Sequence, residues 1–308
     1  MLTILLSIAP IFVVMLLGHS LRRGGIPSLE FWNLNDRLVY WVLIPALLFY
    51  NMSTMSITAS LVGDYAIVIL GGFGAAFGFG YLMNRFSENP AAGSSVLQGA
   101  ARHNTFIALA VAERLYGAEG LALAALGSAL LIPVTNLTIV PMLAIMLRRE
   151  DEENLFFAIA RELARNPLLL AVGLGLIANS LGARDIPVIH DVAKLLGSAA
   201  LPIVLLCVGA NIRVRKMAAT VQPTILSILG KMLVFPIVIF ILSRWVGLSQ
   251  TETMIALLFG AVPTAASGFT LARQMGGDAP LMAAIITLQT LISFITLPLT
   301  ILWAGSYF

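Results

Sequence analysis

The chain of 308 residues is 59% hydrophobic and only 11% charged, with a mean hydropathy of +0.96. A soluble domain of this size carries roughly a quarter charged residues, so the solvent for this much apolar surface must be partly lipid. The net charge of +3 is too small to indicate nucleic-acid binding, and the single cysteine, Cys207, excludes a disulfide framework or a cysteine-based metal cluster.

A helix needs about 20 apolar residues to cross the hydrocarbon core. Ten stretches meet or approach that length: 2–21, 37–51, 62–83, 93–115, 120–147, 166–181, 191–211, 222–243, 252–274 and 280–304. The first has no basic segment before it and no small-residue cleavage site after it, so it reads as a membrane span and not as a removable signal. The second is short and interrupted by Pro45; the third carries a glycine run in which Gly74 and Gly78 form a helix-packing face. That run lacks the strand and the Lys-Ser/Thr pair of a phosphate loop. The fourth and ninth spans are the most polar. Between the fifth and sixth, residues 151–165 read as a charged linker with a short amphipathic surface helix that begins near Leu155. Cys207, among Leu205, Leu206 and Val208, reads as a small buried hydrophobe.

The linker divides the chain into two similar halves, a first five-helix repeat over 1–150 and a second over 166–308. Pro45-Ala-Leu-Leu corresponds to Pro202-Ile-Val-Leu, Ile69-Leu-Gly-Gly to Ile228-Leu-Gly-Lys, Arg85 to Arg244, Ala112 to Ala272 and Pro141 to Pro298. With an odd number of spans per half, the second copy enters from the opposite side, which makes the repeat inverted. Arg22, Arg23, Arg37, Arg85, Arg148, Arg149, Arg161, Arg165, Arg213, Arg215, Lys216 and Arg273 fall on one set of loops. Only Arg114, Arg184, Lys194 and Arg244 fall on the other. The positive-inside rule then places the first set in the cytoplasm and both termini outside, in a multi-pass protein of the plasma (inner) membrane.

Ionisable and amide groups at bilayer depth are expensive and mark substrate or ion paths. The fourth span holds Gly99-Ala-Ala-Arg102-His103-Asn104-Thr105; its repeat mate holds Gly260-Ala-Val-Pro263-Thr264-Ala-Ala-Ser267-Gly268. If both helices break there, backbone N–H groups and positive half-helix ends meet at one centre, which favours an anion. Arg102 supplies a charge suited to a carboxylate and His103 a donor or a titratable proton. Against this stand plainer roles: a snorkelling Arg102, a His103 bonded to a carbonyl, Asn104 and Thr105 as interhelical glue, and Pro263 as a simple kink. Asn136, Gln289, Lys231 and Asn51 are secondary candidates. Packing glue competes with binding for the two amides, snorkelling for Lys231, and a helix cap for Asn51 and for Asn211.

These residues resemble the auxin efflux carrier family, which includes the plant PIN carriers and bacterial malonate and malate carriers. His103-Asn104-Thr105 with Arg114-Leu115-Tyr116-Gly117 resembles the fourth-helix pattern Pro-Asn-Thr…Met-Tyr-Gly. Pro263 through Phe269-Thr-Leu-Ala272-Arg273 resembles the ninth-helix pattern Pro…Phe-x-Phe-Ala-Lys, and Lys231 to Pro236 resembles a basic-then-proline pattern in the eighth. The resemblance implies an all-α polytopic fold like that of the bile-acid/sodium symporter group. In that fold ten transmembrane helices form two inverted repeats, with crossed, broken helices 4 and 9. Scaffold and transport domains are each assembled from both repeats, with a homodimer through the scaffold. By position, Asn104 is the crossover asparagine. The crossover prolines of the plant proteins fall here on Val111 and Gly268, and the proline before Asn-Thr is His103.

The expected function is alternating-access transport of a small organic anion. Arg102, His103, Asn104, Thr105, Pro263, Thr264, Ser267 and Gly268 would form the site, with no cofactor. Sodium, proton and uncoupled transport all stay open. A channel or sensor of the same fold is one rival. An intramembrane hydrolase with a Ser267–His103 dyad is another.

Overall fold

The computed structural model describes residues 2–55, 59–147, 160–161, 163–212 and 221–308, and every regular element among them is helical. Of the linker, residues 160–161 and 163–165 are described, and the rest of the helix expected from Leu155 lies outside the described residues, as do Arg148, Arg149, Arg213, Arg215 and Lys216. The helices are α1 (Leu2–Arg23), α2 (Leu29–Leu38), α3 (Ile44–Thr54), α4 (Ala59–Met83), α5 (Pro90–Ala101), α6 (Thr105–Met146) and α7 (Pro167–Ser180). There follow α8 (Ile189–Ala210), α9 (Val221–Leu229), α10 (Phe235–Val246), α11 (Gln250–Ala261), α12 (Ser267–Met275) and α13 (Ala279–Gly305).

Among the described residues, six helical stretches are long and apolar enough to cross a bilayer: Ile4–Arg23, Leu61–Phe86, Pro90–Met146, Ile189–Ala210, Val221–Val246 and Ala279–Gly305. α7 is apolar but shorter. Their outer faces expose Leu16, Leu17, Leu174, Leu195, Ile241 and Trp245, which only a lipid environment tolerates in such number. The protein is an all-helical integral membrane protein.

Three departures from regular helix have local causes. α2 and α3 run on through a π-helical turn at Val39–Leu43, and α9 and α10 through another at Gly230–Val234. Each is followed within two residues by a proline, Pro45 or Pro236. A proline in mid-helix has no N–H and clashes with the carbonyl four residues back; a widened turn absorbs both defects. The second stretch therefore begins earlier than its apolar run, because α2 is amphipathic and buries only Trp32. α6 bends at Gly117, whose φ of 60° and ψ of −148° suit a residue without a Cβ.

The helices pack in two groups. α1, α3, α7 and α8 form one: α3 lies against α7 and α8, and α1 against α8. The α1–α8 contact is backbone on backbone, since a Cβ on Gly18 would overlap the Leu206 carbonyl and one on Gly209 the Met15 carbonyl. The other group is α4, α5 and α9 to α13, with α4 against α5 and α10, and α11 against α10 and α13. α6 touches both groups.

Candidate functional site

α5 ends at Ala101, and α6 starts at Thr105; α11 ends at Ala261, and α12 starts at Ser267. The two interruptions cross. The Asn104 N–H donates to the Pro263 carbonyl at 2.8 Å, and the Thr264 hydroxyl donates to the Gln98 carbonyl at 3.2 Å. Each break exposes backbone groups that a continuous helix would pair, and at this depth protein groups must satisfy them. Asn104 Oδ1 caps α6 by accepting from the N–H groups of Phe106 and Ile107, each at 3.1 Å. Gln289, on α13, bridges the two breaks: its Oε1 accepts from Thr264 N–H and its Nε2 donates to the Gly99 carbonyl, both at 2.9 Å.

Helices approach the crossing closely where side chains are missing. A Cβ on Gly99 would lie 2.8 Å from Ser227, and one on Gly260 would lie 2.8 Å from the Pro236 nitrogen. These two glycines let the α9–α10 segment lie directly over both half-helices.

A cavity of about 770 Å³ opens between the crossing and the other helix group. Arg102, His103, Asn104, Thr105 and Ser267 form its wall at the crossing, together with Thr287 of α13. Asp36, Arg37, Tyr40, Val204 and Asn211 form the facing wall, and Thr135, Asn136 and Asn166 complete it. Arg102 is 8% exposed and its guanidinium donates to Ser267 Oγ at 3.2 Å. His103 is 5% exposed; its ring sits edge-on to Phe259, and neither ring nitrogen has a hydrogen-bond partner among the described residues. The Ser267–His103 pairing of the hydrolase reading is therefore not formed. On the facing wall, Asn211 Oδ1 accepts from Arg22 at 2.8 Å and Asn211 donates to Asp36 at 3.0 Å.

The remaining candidates lie elsewhere. Pro263 and Thr264 supply backbone to the crossing, and Gly268 faces Met282 behind it. Gln289 and Lys231 are fully buried outside the cavity wall. Asn51 bonds to the Leu47 carbonyl inside α3, away from the cavity. The break of the first helix is at 102–104, so Val111, fully buried within α6, does not mark it; the second break at 262–266 precedes Gly268. Sequence reasoning missed Asp36, Tyr40, Thr135, Asn166 and Thr287 as wall residues. It also missed Gln98, a fully buried amide at the crossing whose side chain has no hydrogen-bond partner among the described residues. A mid-membrane amide one turn before Arg102 was the available signal for Gln98.

A protein of Rhizobium meliloti (strain 1021) named "Putative malonate transporter" is 24% identical over 302 residues, covering 94% of this chain and 92% of its own. An "Uncharacterized transporter" of Methanothermobacter thermautotrophicus is 22% identical over 299 residues, covering 95% of this chain and 96% of its own. Residues 3–301 match the family described as "Membrane transport protein". The chain thus belongs to that membrane transport protein family, the auxin efflux carrier family that its fourth-, eighth- and ninth-helix motifs resemble.

Proposed function

We propose that this protein is a secondary transporter that carries a short organic anion, a mono- or dicarboxylate, by alternating access. The observation that carries the reading is the crossing itself: two interrupted helices hydrogen-bonded at Asn104 and Pro263, with Arg102 and His103 turned to one cavity. α6 and α12 both begin at that cavity, so their positive ends add to the Arg102 charge. Arg102 and Ser267 would take one carboxylate. His103 and the Asn104 amide group, whose oxygen is occupied by the cap, would take further oxygens. A second carboxylate would find His103 in place of the proline of the plant carriers. The name of the Rhizobium relative points to the same substrate class.

The finer architecture belongs to this reading. Ten spans would be made by treating α2–α3, α5 with the start of α6, the rest of α6, α7, α9–α10 and α11–α12 as single crossings. They would form inverted repeats on either side of residues 151–165. α1, α3, α7 and α8 would be the scaffold, and the other group would move against it. The side of the molecule that carries Arg22 would face the cytoplasm in the plasma membrane, with both termini outside. A homodimer would join through exposed scaffold faces.

Uptake of labelled short mono- and dicarboxylates into proteoliposomes tests the proposal, with wild type beside Arg102→Ala and Asn104→Ala. Saturable, trans-stimulated uptake of one acid, abolished by both changes, is expected. Uptake untouched by either change would move the site elsewhere. Non-saturable flux would favour a channel, and no flux by folded protein under sodium, proton and voltage gradients would sink the anion assignment.

A further inference from the structure

Lys231 is fully buried, yet no carboxylate among the described residues pairs with it. Its Nζ donates to the Phe259 carbonyl and lies 4.3 Å from the centre of the Phe235 ring. The acceptor is specific to the crossing. In a continuing helix the Phe259 carbonyl would accept from the N–H of residue 263, but that residue is Pro263, which has none. The carbonyl is therefore orphaned at the negative end of half-helix α11, where a cation is favoured. The aromatic face adds to that preference.

The first half-helix solves the same problem differently. The Gly99 carbonyl, at the matching place in α5, is capped by the neutral amide of Gln289. One negative end thus meets an amide, and the other meets the Lys231 side-chain nitrogen. The π-helical turn at Gly230–Val234 and the contact of Gly260 with Pro236 bring the Lys231 backbone to the crossing from the side away from the cavity.

We infer that Lys231 is a resident cation of the transport site: its ammonium fills the place at the end of α11 that a free monovalent metal ion would otherwise take. It is a positioning residue, holding the Phe259 carbonyl and with it the start of the 262–266 break. The site then needs no sodium ion, because a second cation at that carbonyl would meet the ammonium charge. Arg102 and the two positive helix ends are left to bind the anion. The inference rests on the transport reading for the purpose of the site, but not for the existence of the cation position.

Two measurements test it on purified full-length protein. First, the thermal midpoint of wild type and its carboxylate uptake are compared in sodium and in choline. Both are expected to be the same in the two salts. A saturable rise of the midpoint with sodium, or uptake that fails in choline, would overturn the inference. Second, Lys231→Ala is titrated with ethylammonium and with sodium, next to Lys231→Met, whose side chain fills the space without a charge. Lys231→Ala is expected to lose uptake by about tenfold or more and to regain midpoint and uptake with either cation, while Lys231→Met regains neither. A Lys231→Ala variant that transports normally, or that ignores both cations, would overturn the inference. If Lys231→Ala does not fold, the wild-type comparison still decides. The midpoint arm needs no substrate: cation rescue of Lys231→Ala beside a wild type that carries no carboxylate would uphold the resident cation and sink only the anion reading.

Discussion

Asn104 carries two duties on one side chain, and they can be separated. Its oxygen caps α6; its amide nitrogen is the group offered to a ligand under the proposed function. Asn104→Asp keeps the capping oxygen and places a negative charge at a helix start, where the dipole favours it. It also removes a donor and repels an anion. The expected outcome is a near-normal thermal midpoint with uptake reduced by about tenfold or more, equivalent to at least about 1.4 kcal/mol. Asn104→Ala instead loses the cap, at a cost of about 1 kcal/mol, so its midpoint falls as well. Equal midpoints for the two variants, measured by thermal denaturation in detergent, would show that the cap contributes nothing. The polar cluster 102–105 was legible because Arg, His and Asn together in an apolar span are hard to explain as packing. The position of the break was less so. In the first helix it depends on a capping asparagine and not on a proline, so aligning Val111 with a proline pointed seven residues past Asn104.

The crossing is an assembly of elements, and its weakest point is the pair of orphaned backbone groups that Gln289 joins. Gln289→Leu has nearly the same size but leaves the Gly99 carbonyl and the Thr264 N–H without partners in a buried setting. Each costs about 1–3 kcal/mol, so a loss of roughly 2–6 kcal/mol is expected, enough to lower expression and the thermal midpoint markedly. Gln289→Glu keeps the acceptor for Thr264 but turns the donor to Gly99 into a second acceptor, and should be destabilised too. A stable, active Gln289→Leu protein would mean that the bridge is dispensable. Packing glue was one of two readings of Gln289 in the sequence, but its partners were not readable; they lie in α5 and in the 262–266 break, brought together only by packing. The same holds for the α1–α8 contact. Gly209→Val would drive a side chain into the Met15 carbonyl, and overpacking of this kind costs about 1–3 kcal/mol or more. Reduced yield and a lower midpoint are expected, while Gly74→Val, at a glycine with open space around it, should be tolerated. Gly74 and Gly78 looked from sequence like a helix-packing pair; in the structure a Cβ at either meets nothing, and Gly71 and Gly72 make the close contacts with Leu242, Ile239 and Phe235.

At the scale of the whole molecule, composition and span pattern were enough to read an all-helical membrane protein, because lipid permits few other ways to satisfy a backbone. A scaffold and a transport domain came only as what the resemblance implies, and which helices form each packing group was not legible, because the groups and the cavity wall draw on helices far apart in the chain. That division is what the proposed alternating access acts on. Thr287 stands on the crossing side of the cavity, and Asn211 stands on the facing side, within reach of Arg22 and Asp36. If the groups move against each other, the mouth must close when the opposite face opens, and residues on the two walls must change their separation. Single-cysteine variants at Thr287 and Asn211, made with Cys207 replaced by alanine, should react with a membrane-impermeant thiol reagent, Asn211→Cys from one side of the membrane only and Thr287→Cys, beside the crossing, from each side in turn. Substrate should protect Thr287→Cys more strongly than Asn211→Cys, because Thr287 stands beside the crossing and Asn211 on the facing wall. A spin label pair at the two positions should then show two distance populations whose ratio shifts with substrate, since a ligand moves such an equilibrium only through its differential affinity for the two states. One fixed distance, unmoved by any carboxylate that is taken up, would replace the moving-domain mechanism with a pore that conducts without closing.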